Sequence, residues 1–164
     1  MTLAGNSEIG EINVRRAVPE DLESIVRFNA AMALETEGKV LDLEQLREGV
    51  AAVFQRQGLG FYCVAEVGGR VVGQLMITTE WSDWRNSKYW WIQSVYVDAD
   101  HRRRGVYRTL HSFVVAEAQE RGGVRGLKLY VDRDNKRAQN AYASLGMSHS
   151  NYDLWEIDFD PSKH

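Results

Sequence analysis

The chain has 164 residues, 44% of them hydrophobic and 26% charged, an ordinary globular mixture within the size of one domain. With 20 basic residues against 23 acidic ones the net charge is −3, which argues against a dedicated nucleic-acid binder. The lone cysteine, Cys63, excludes a disulfide framework and a zinc site built from several thiolates. Apolar runs fall short of the roughly 18 residues of a membrane span, and Met1 to Gly10 lacks the basic start and apolar stretch of a signal peptide. The expectation is a soluble, cytoplasmic protein with one domain over residues 1–164, the first ten a flexible tail.

Ile12 to Ala17 reads as a short strand, and Pro19 suits the first turn of a helix with Leu22, Ile25 and Val26 on its apolar stripe. A break at Glu37-Gly38-Lys39 leads to a second helix carrying Leu43, Leu46, Val50 and Val53. Phe61 to Val67 and Arg70 to Thr78 are strands joined by Gly68-Gly69, a dipeptide suited to the two positive-φ positions of a type I′ hairpin. Tyr89 to Val97 is a third β run, with Trp90, Ile92, Val95 and Val97 apolar. Val106, Leu110, Phe113 and Val114 make a helical stripe that stops at Gly122-Gly123. Gly126 to Val131 follows as a strand, Ala138, Ala141, Tyr142 and Leu145 form a helical face ending at Gly146, and Tyr152 to Phe159 closes as a strand. The order β-α-α-β-β-β-α-β-α-β predicts a mixed α/β domain.

The chemistry concentrates where the third β run meets the following helix, at Asp98-Ala-Asp-His-Arg-Arg-Arg-Gly-Val-Tyr-Arg. The first N–H groups of a helix lack internal partners and sit at the positive end of its dipole, so they form an anion site. Gly105 removes a side chain where a phosphate would approach the backbone. Arg102, Arg103, Arg104 and Arg108 bring charge that pairs with phosphate oxygens. The glycine-lysine-serine end of a Walker loop and the GxGxxG dinucleotide turn are both absent. A diphosphate-bearing ligand is indicated.

Arg102-Arg103-Arg104-Gly105-Val106-Tyr107 resembles the Gln/Arg-x-x-Gly-x-Gly/Ala signature of the GNAT superfamily of N-acetyltransferases. Asn135, Ala138, Tyr142 and Leu145-Gly146-Met147 resemble that superfamily's Asn-x-x-Ala-x-x-x-Tyr-x-x-x-Gly-Phe region, so the likeness spans Ile12 to Phe159. Tyr107 departs from the pattern, which usually has a small residue there, and its ring must point away from the pyrophosphate. The resemblance implies an α/β (α+β) fold, a mixed and mostly antiparallel twisted sheet of roughly six to seven strands flanked by four helices, with a splayed central strand pair. It implies acetyl-CoA as co-substrate, without a metal, in a V-shaped opening between the strand ending at Val97 and the strand Gly126 to Val131. Backbone groups of Val95, Tyr96 and Val97 would bind the pantetheine arm, the N–H near Val95 would face the oxyanion, the amides of Arg103 to Arg108 (Val106 and Tyr107 among them) would cradle the pyrophosphate, and Asn135 would contact the cofactor.

Acyl transfer to an amine needs a neutral amine and a stabilised leaving thiolate. Tyr142, by its place in the motif, is the candidate acid: a thiol has a pKa of about 8.5 and a tyrosine about 10, so the proton transfer is not strongly uphill. Gln93 stands where related polyamine acetyltransferases carry a glutamate; it cannot take a proton but can orient a water or the amine. Glu80 and Asp83 are the nearest acidic candidates, and a water chain is an equal alternative. The acceptor pocket is expected between the early helices, where Met32, Glu35, Glu37 and Asp42 lie, and in a loop from Thr79 to Trp91, where Trp81 and Trp84 suit a cationic amine. Cys63 reads as a buried strand residue, and His101 and His111 as surface histidines beside the arginine turn. The function expected is acetyl transfer to a small-molecule primary amine, with no nucleic-acid or membrane partner and with a homodimer formed through Tyr152 to Phe159. The alternative is an acyl-CoA-binding sensor without turnover.

Overall fold

The computed structural model describes residues 10–159, so the expected tail lies outside the described residues except for Gly10. The chain forms two compact units, one ending at Tyr130 and the other beginning at Val131.

In the first unit, β1 (Ile12–Arg16) leads through a one-turn helix opened by Pro19 into α1 (Leu22–Glu37). Gly38 ends α1 at φ 64, the left-handed geometry that lets a carbonyl-satisfying turn close a helix. Asp42 then caps α2 (Leu43–Gln55), accepting from the N–H groups of Glu44 and Gln45. β2 (Phe61–Val67) and β3 (Arg70–Ser82) form the expected hairpin, with Gly68 and Gly69 both at positive φ, 58 and 77. β4 (Ser87–Val97) returns antiparallel to β3, α3 (Val106–Arg121) crosses over, and β5 (Val124–Leu129) pairs parallel with β4. The strand order is β1-β2-β3-β4-β5.

Alternation along the strands gives the sheet two apolar faces. Cys63, Leu75, Ile77, Trp90 and Ile92 pack against Val106, Leu110 and Val114 of α3. Tyr62, Val64 and Val71 pack on the other side against Ile25, Val26 and Phe28 of α1 and Val50 of α2. The segment Thr79 to Trp91 is not a loop: β3 and β4 stay paired out to Ser82↔Ser87, and only Asp83 to Asn86 turn. Its polar residues hid the strands, because beyond Ile77 β3 no longer has a fully buried face.

The second unit contains α4 (Lys136–Ser144), and Gly146 at φ 85 follows its end. The expected strand Tyr152 to Phe159 is absent from the described residues: no ladder among them includes it, and Tyr152, Trp155 and Phe159 are 90%, 90% and 93% exposed. Alternating apolarity states which face of a strand would be covered, but a strand forms only where a neighbour supplies hydrogen bonds. The described residues therefore hold a mixed, mostly antiparallel sheet of five strands with four α-helices, fewer strands than expected in the same fold class.

Candidate active site

The parallel ladder between β4 and β5 runs from Lys88↔Val124 to Ile92↔Leu129 and stops, while β4 continues to Val97. From Gln93 to Val97, β4 thus carries an edge that β5 does not pair. Such an edge presents backbone donors and acceptors that an extended polar chain can match. It is the expected opening beside the strand that ends at Val97.

Within this stretch β4 bulges. Its register with β3 passes from Met76↔Gln93 to Gln74↔Tyr96, leaving Ser94 and Val95 opposite Leu75 alone. Ser94 adopts φ 50 to do so. The bulge resets the alternation: Trp90 and Ile92 face α3 before it, Val95 and Val97 after it. Gln93 lies just before the bulge, its Nε2 donating to Thr78 Oγ1 at 2.6 Å.

The arginine turn follows. Arg102 folds back, its Nε donating to the Val97 carbonyl at 2.9 Å and a terminal nitrogen to Glu35 Oε2 at 2.6 Å. The Tyr96 hydroxyl donates to the other oxygen of Glu35 at 2.8 Å. Arg102, then Tyr96, hold the Glu35 carboxyl below the usual carboxylate range. Arg103, Arg104 and Arg108 are exposed and enter no ion pair among the described residues. Arg103 at φ 62 and Gly105 at φ 85 curl the backbone into a concave run of amides. Gly105 caps α3 without a side chain, so the N–H groups of its first turn are left for a ligand. Concave amides, a helix N-terminus and three uncommitted guanidinium groups fit a pyrophosphate. Tyr107 packs against the core on the α3 side, its ring 6.1 Å from His111. His111 is itself buried, 5% exposed, which corrects its reading as a surface residue.

The other acid, base and acceptor candidates are placed differently. Glu80 accepts from Lys128 Nζ at 2.8 Å and from Trp91 Nε1 at 2.6 Å, and these two partners, Lys128 first, keep its carboxyl below the usual range. It pairs with Tyr89, about 20 Å along the strand from Val95 at roughly 3.3 Å per residue. A carboxylate so held and so distant does not reach the bulge at Ser94 and Val95. Trp81, opposite Lys88, lies still farther out, and Trp84 and Asp83 occupy the hairpin turn, where Asp83 accepts from the Trp84 N–H. These residues do not gather at the bulge. Glu37 pairs with Lys39 and Asp42 is a helix cap, so Glu35 alone of the early-helix carboxylates named above joins the arginine turn.

Sequence reasoning missed Lys128, which lies 4.2 Å from the Tyr89 ring centre, and Tyr130, stacked on Trp91 at 4.4 Å. It also missed Gln74 and Asn29, both buried, although a glutamine within Val71-Val72-Gly73-Gln74-Leu75-Met76-Ile77 was a visible signal. In the second unit, Asn135 Oδ1 caps α4 by accepting from the Ala138 N–H at 3.0 Å. Burial holds the half-buried Tyr142 phenol above its ordinary value.

Residues 28–147 match the model of the acetyltransferase (GNAT) family. The chain belongs to this family. A crystal structure of a possible acetyltransferase from Clostridium difficile 630 is 41% identical, with a TM-score of 0.84 over 90% of this chain and 97% of that one. A GCN5-related N-acetyltransferase from Ralstonia eutropha JMP134 is 26% identical, with a TM-score of 0.72 over 90% and 99%. A predicted acetyltransferase with acetyl-CoA from Clostridium acetobutylicum is 17% identical, with a TM-score of 0.72 over 90% and 96%, and shares the fold. No curated protein matches the sequence. As a GNAT acetyltransferase the chain is an acyltransferase, and acetyl-CoA is the donor that such enzymes use. Among the described residues no cluster of metal-ligating side chains occurs, and no helix is long and apolar enough to cross a membrane.

Proposed function

We propose that this enzyme transfers the acetyl group of acetyl-CoA to a primary amine of a small molecule (a polyamine, an amino acid or an aminoglycoside-like acceptor) by direct attack. The observation that carries the reading is the unpaired edge of β4 from Gln93 to Val97 running into the arginine turn and the uncapped N-terminus of α3. The edge offers hydrogen bonds to a pantetheine arm, and the turn offers amides and guanidinium groups to a pyrophosphate.

In the reaction, the neutral amine nitrogen attacks the thioester carbonyl. The N–H of Val95 faces the developing oxyanion. As the C–S bond breaks, the thiolate takes a proton from the Tyr142 phenol, which like any tyrosine is protonated at neutral pH. The nitrogen gives up its proton through water that Gln93 helps to orient, since Glu80 is tied to Lys128 and Trp91. The surplus of acid over base in the chain, a net −3, suits a cationic amine better than a nucleic acid.

The test is release of free thiol from acetyl-CoA over a panel of polyamines, amino acids and aminoglycosides. Amine-dependent release, slowed in Tyr142→Phe with little change in the KM for acetyl-CoA, is the expected result. Saturable acetyl-CoA binding with no release to any amine would replace this reading with a binding module.

A further inference from the structure

A buried amide on β3 reaches the bulge from behind. Gln74 is fully buried, 0% exposed, and faces α1, where Asn29 is 6% exposed. Gln74 Nε2 donates to Asn29 Oδ1 at 2.8 Å and to the backbone carbonyl of Ser94 at 3.2 Å. Both acceptors lie at one end of the amide, which fixes its orientation; Oε1 has no partner among the described residues. Burying an amide in an apolar sheet with one atom unsatisfied opposes folding, and a Leu or Met there would not incur that cost. The polar residue therefore calls for a reason other than stability.

The planarity of the peptide group supplies one. The carbonyl of Ser94 and the N–H of Val95 belong to the same trans peptide plane and point in opposite directions. A donor that holds the Ser94 carbonyl toward Gln74 necessarily aims the Val95 N–H away from it. Ser94, at φ 50, is in the left-handed region, which costs a non-glycine residue some strain. Register alone does not offset that strain, since the bulge leaves Ser94 and Val95 without a residue-for-residue partner on β3.

We infer that Gln74 and Asn29 are positioning residues: they lock the Ser94–Val95 peptide so that the Val95 N–H is preset toward the reacting carbonyl oxygen. The inference rests on the acetyl-transfer reading for its consequence and on the hydrogen bonds of Gln74 for its geometry. Neither residue touches the substrate. Asn29 fixes Gln74 to α1, and Gln74 fixes the peptide that carries the donor. A donor already aimed at the oxyanion needs no reorganisation during the reaction, whereas a peptide free to rotate spends part of its time with the carbonyl where the N–H should be.

Two variants, Gln74→Leu and Asn29→Ala, test this with two readouts. In steady-state kinetics with acetyl-CoA and the best amine acceptor, each should lower kcat by about a hundredfold while leaving the KM for acetyl-CoA nearly unchanged. In amide NMR of the substrate-free protein, each should shift the Val95 resonance and speed its hydrogen exchange, with Gly126 as an undisturbed control. The double variant should be no worse than Gln74→Leu alone, because the two act in series. Unchanged kcat in a folded variant, or a parallel loss of kcat and acetyl-CoA affinity that follows lost thermal stability, would overturn the positioning role. The NMR readout needs no turnover. A Val95 amide that ignores both substitutions refutes the lock itself, whereas a Val95 response in a chain that transfers no acetyl group upholds the lock and refutes the acetyl-transfer reading instead.

Discussion

Gly105 stands at φ 85 with nothing of the protein within 4 Å of where a Cβ would lie, so within the fold itself its constraint is conformational. Gly105→Ala should cost about 1 kcal/mol in urea unfolding, the penalty of a left-handed alanine, with no packing defect. Cys63 is fully buried, and burial, chiefly, pushes its thiol up to about 12. In the native protein at pH 8 it should resist a thiol reagent that modifies it at once in urea; rapid native modification would mean the β2 core opens readily. At this scale the sequence was legible where a residue's backbone need is distinctive, as at Gly105 and Gly68-Gly69. Pairing was less legible. Four nearby basic side chains look alike in a sequence, yet Arg102 is committed to Glu35 and the Val97 carbonyl while Arg103, Arg104 and Arg108 face solvent. The bulge was written in the spacing of Trp90, Ile92, Val95 and Val97, which slips from two to three and back to two. An extra residue between apolar positions is what resets the face of a strand.

At the scale of elements, α3 carries the proposed anion site at its N-terminus, and its seat on the sheet depends on Gly73. A Cβ there would come within 2.8 Å of Val106 Cγ1 and 3.3 Å of the Tyr96 carbonyl, at the first residue of the helix. Gly73→Ala should destabilise the fold by about 1–3 kcal/mol and weaken acetyl-CoA binding, because the added methyl presses on the first residue of the helix. In its second turn α3 buries His111, and burial lowers the imidazole pKa. The unfolded chain, with a histidine near about 6.5, then binds more protons than the folded one at mildly acid pH. Stability should fall as pH drops through that value, and the urea midpoint of His111→Leu should vary less between pH 7.5 and 5.5 than that of the wild type. An equal pH dependence in both would assign the effect to other groups. Helix and hairpin boundaries came through from the sequence because caps and glycines mark them. The outer ends of β3 and β4, Thr79 to Ser82 and Ser87 to Lys88, did not, since this part of the hairpin is held by cross-strand contacts such as Glu80 with Lys128 and Trp91 rather than by an apolar face.

For the whole molecule, the first unit already holds the strand edge, the bulge and the arginine turn, while Asn135 and Tyr142 belong to the second. The fold class was legible because element order and two motifs agree on it. The closing strand was not, because its existence depends on a partner that no local pattern specifies. We propose that acetyl-CoA binds along the edge of β4 with its pyrophosphate on the amides of the arginine turn. Calorimetric titration of acetyl-CoA into the wild type and Gly105→Glu tests it most directly, with circular dichroism confirming that both are folded. The expected result is saturable one-to-one binding to the wild type and a loss of about a hundredfold or more in affinity when bulk and negative charge occupy the cradle. Equal affinity in both proteins, or no saturable binding to the wild type, would contradict it.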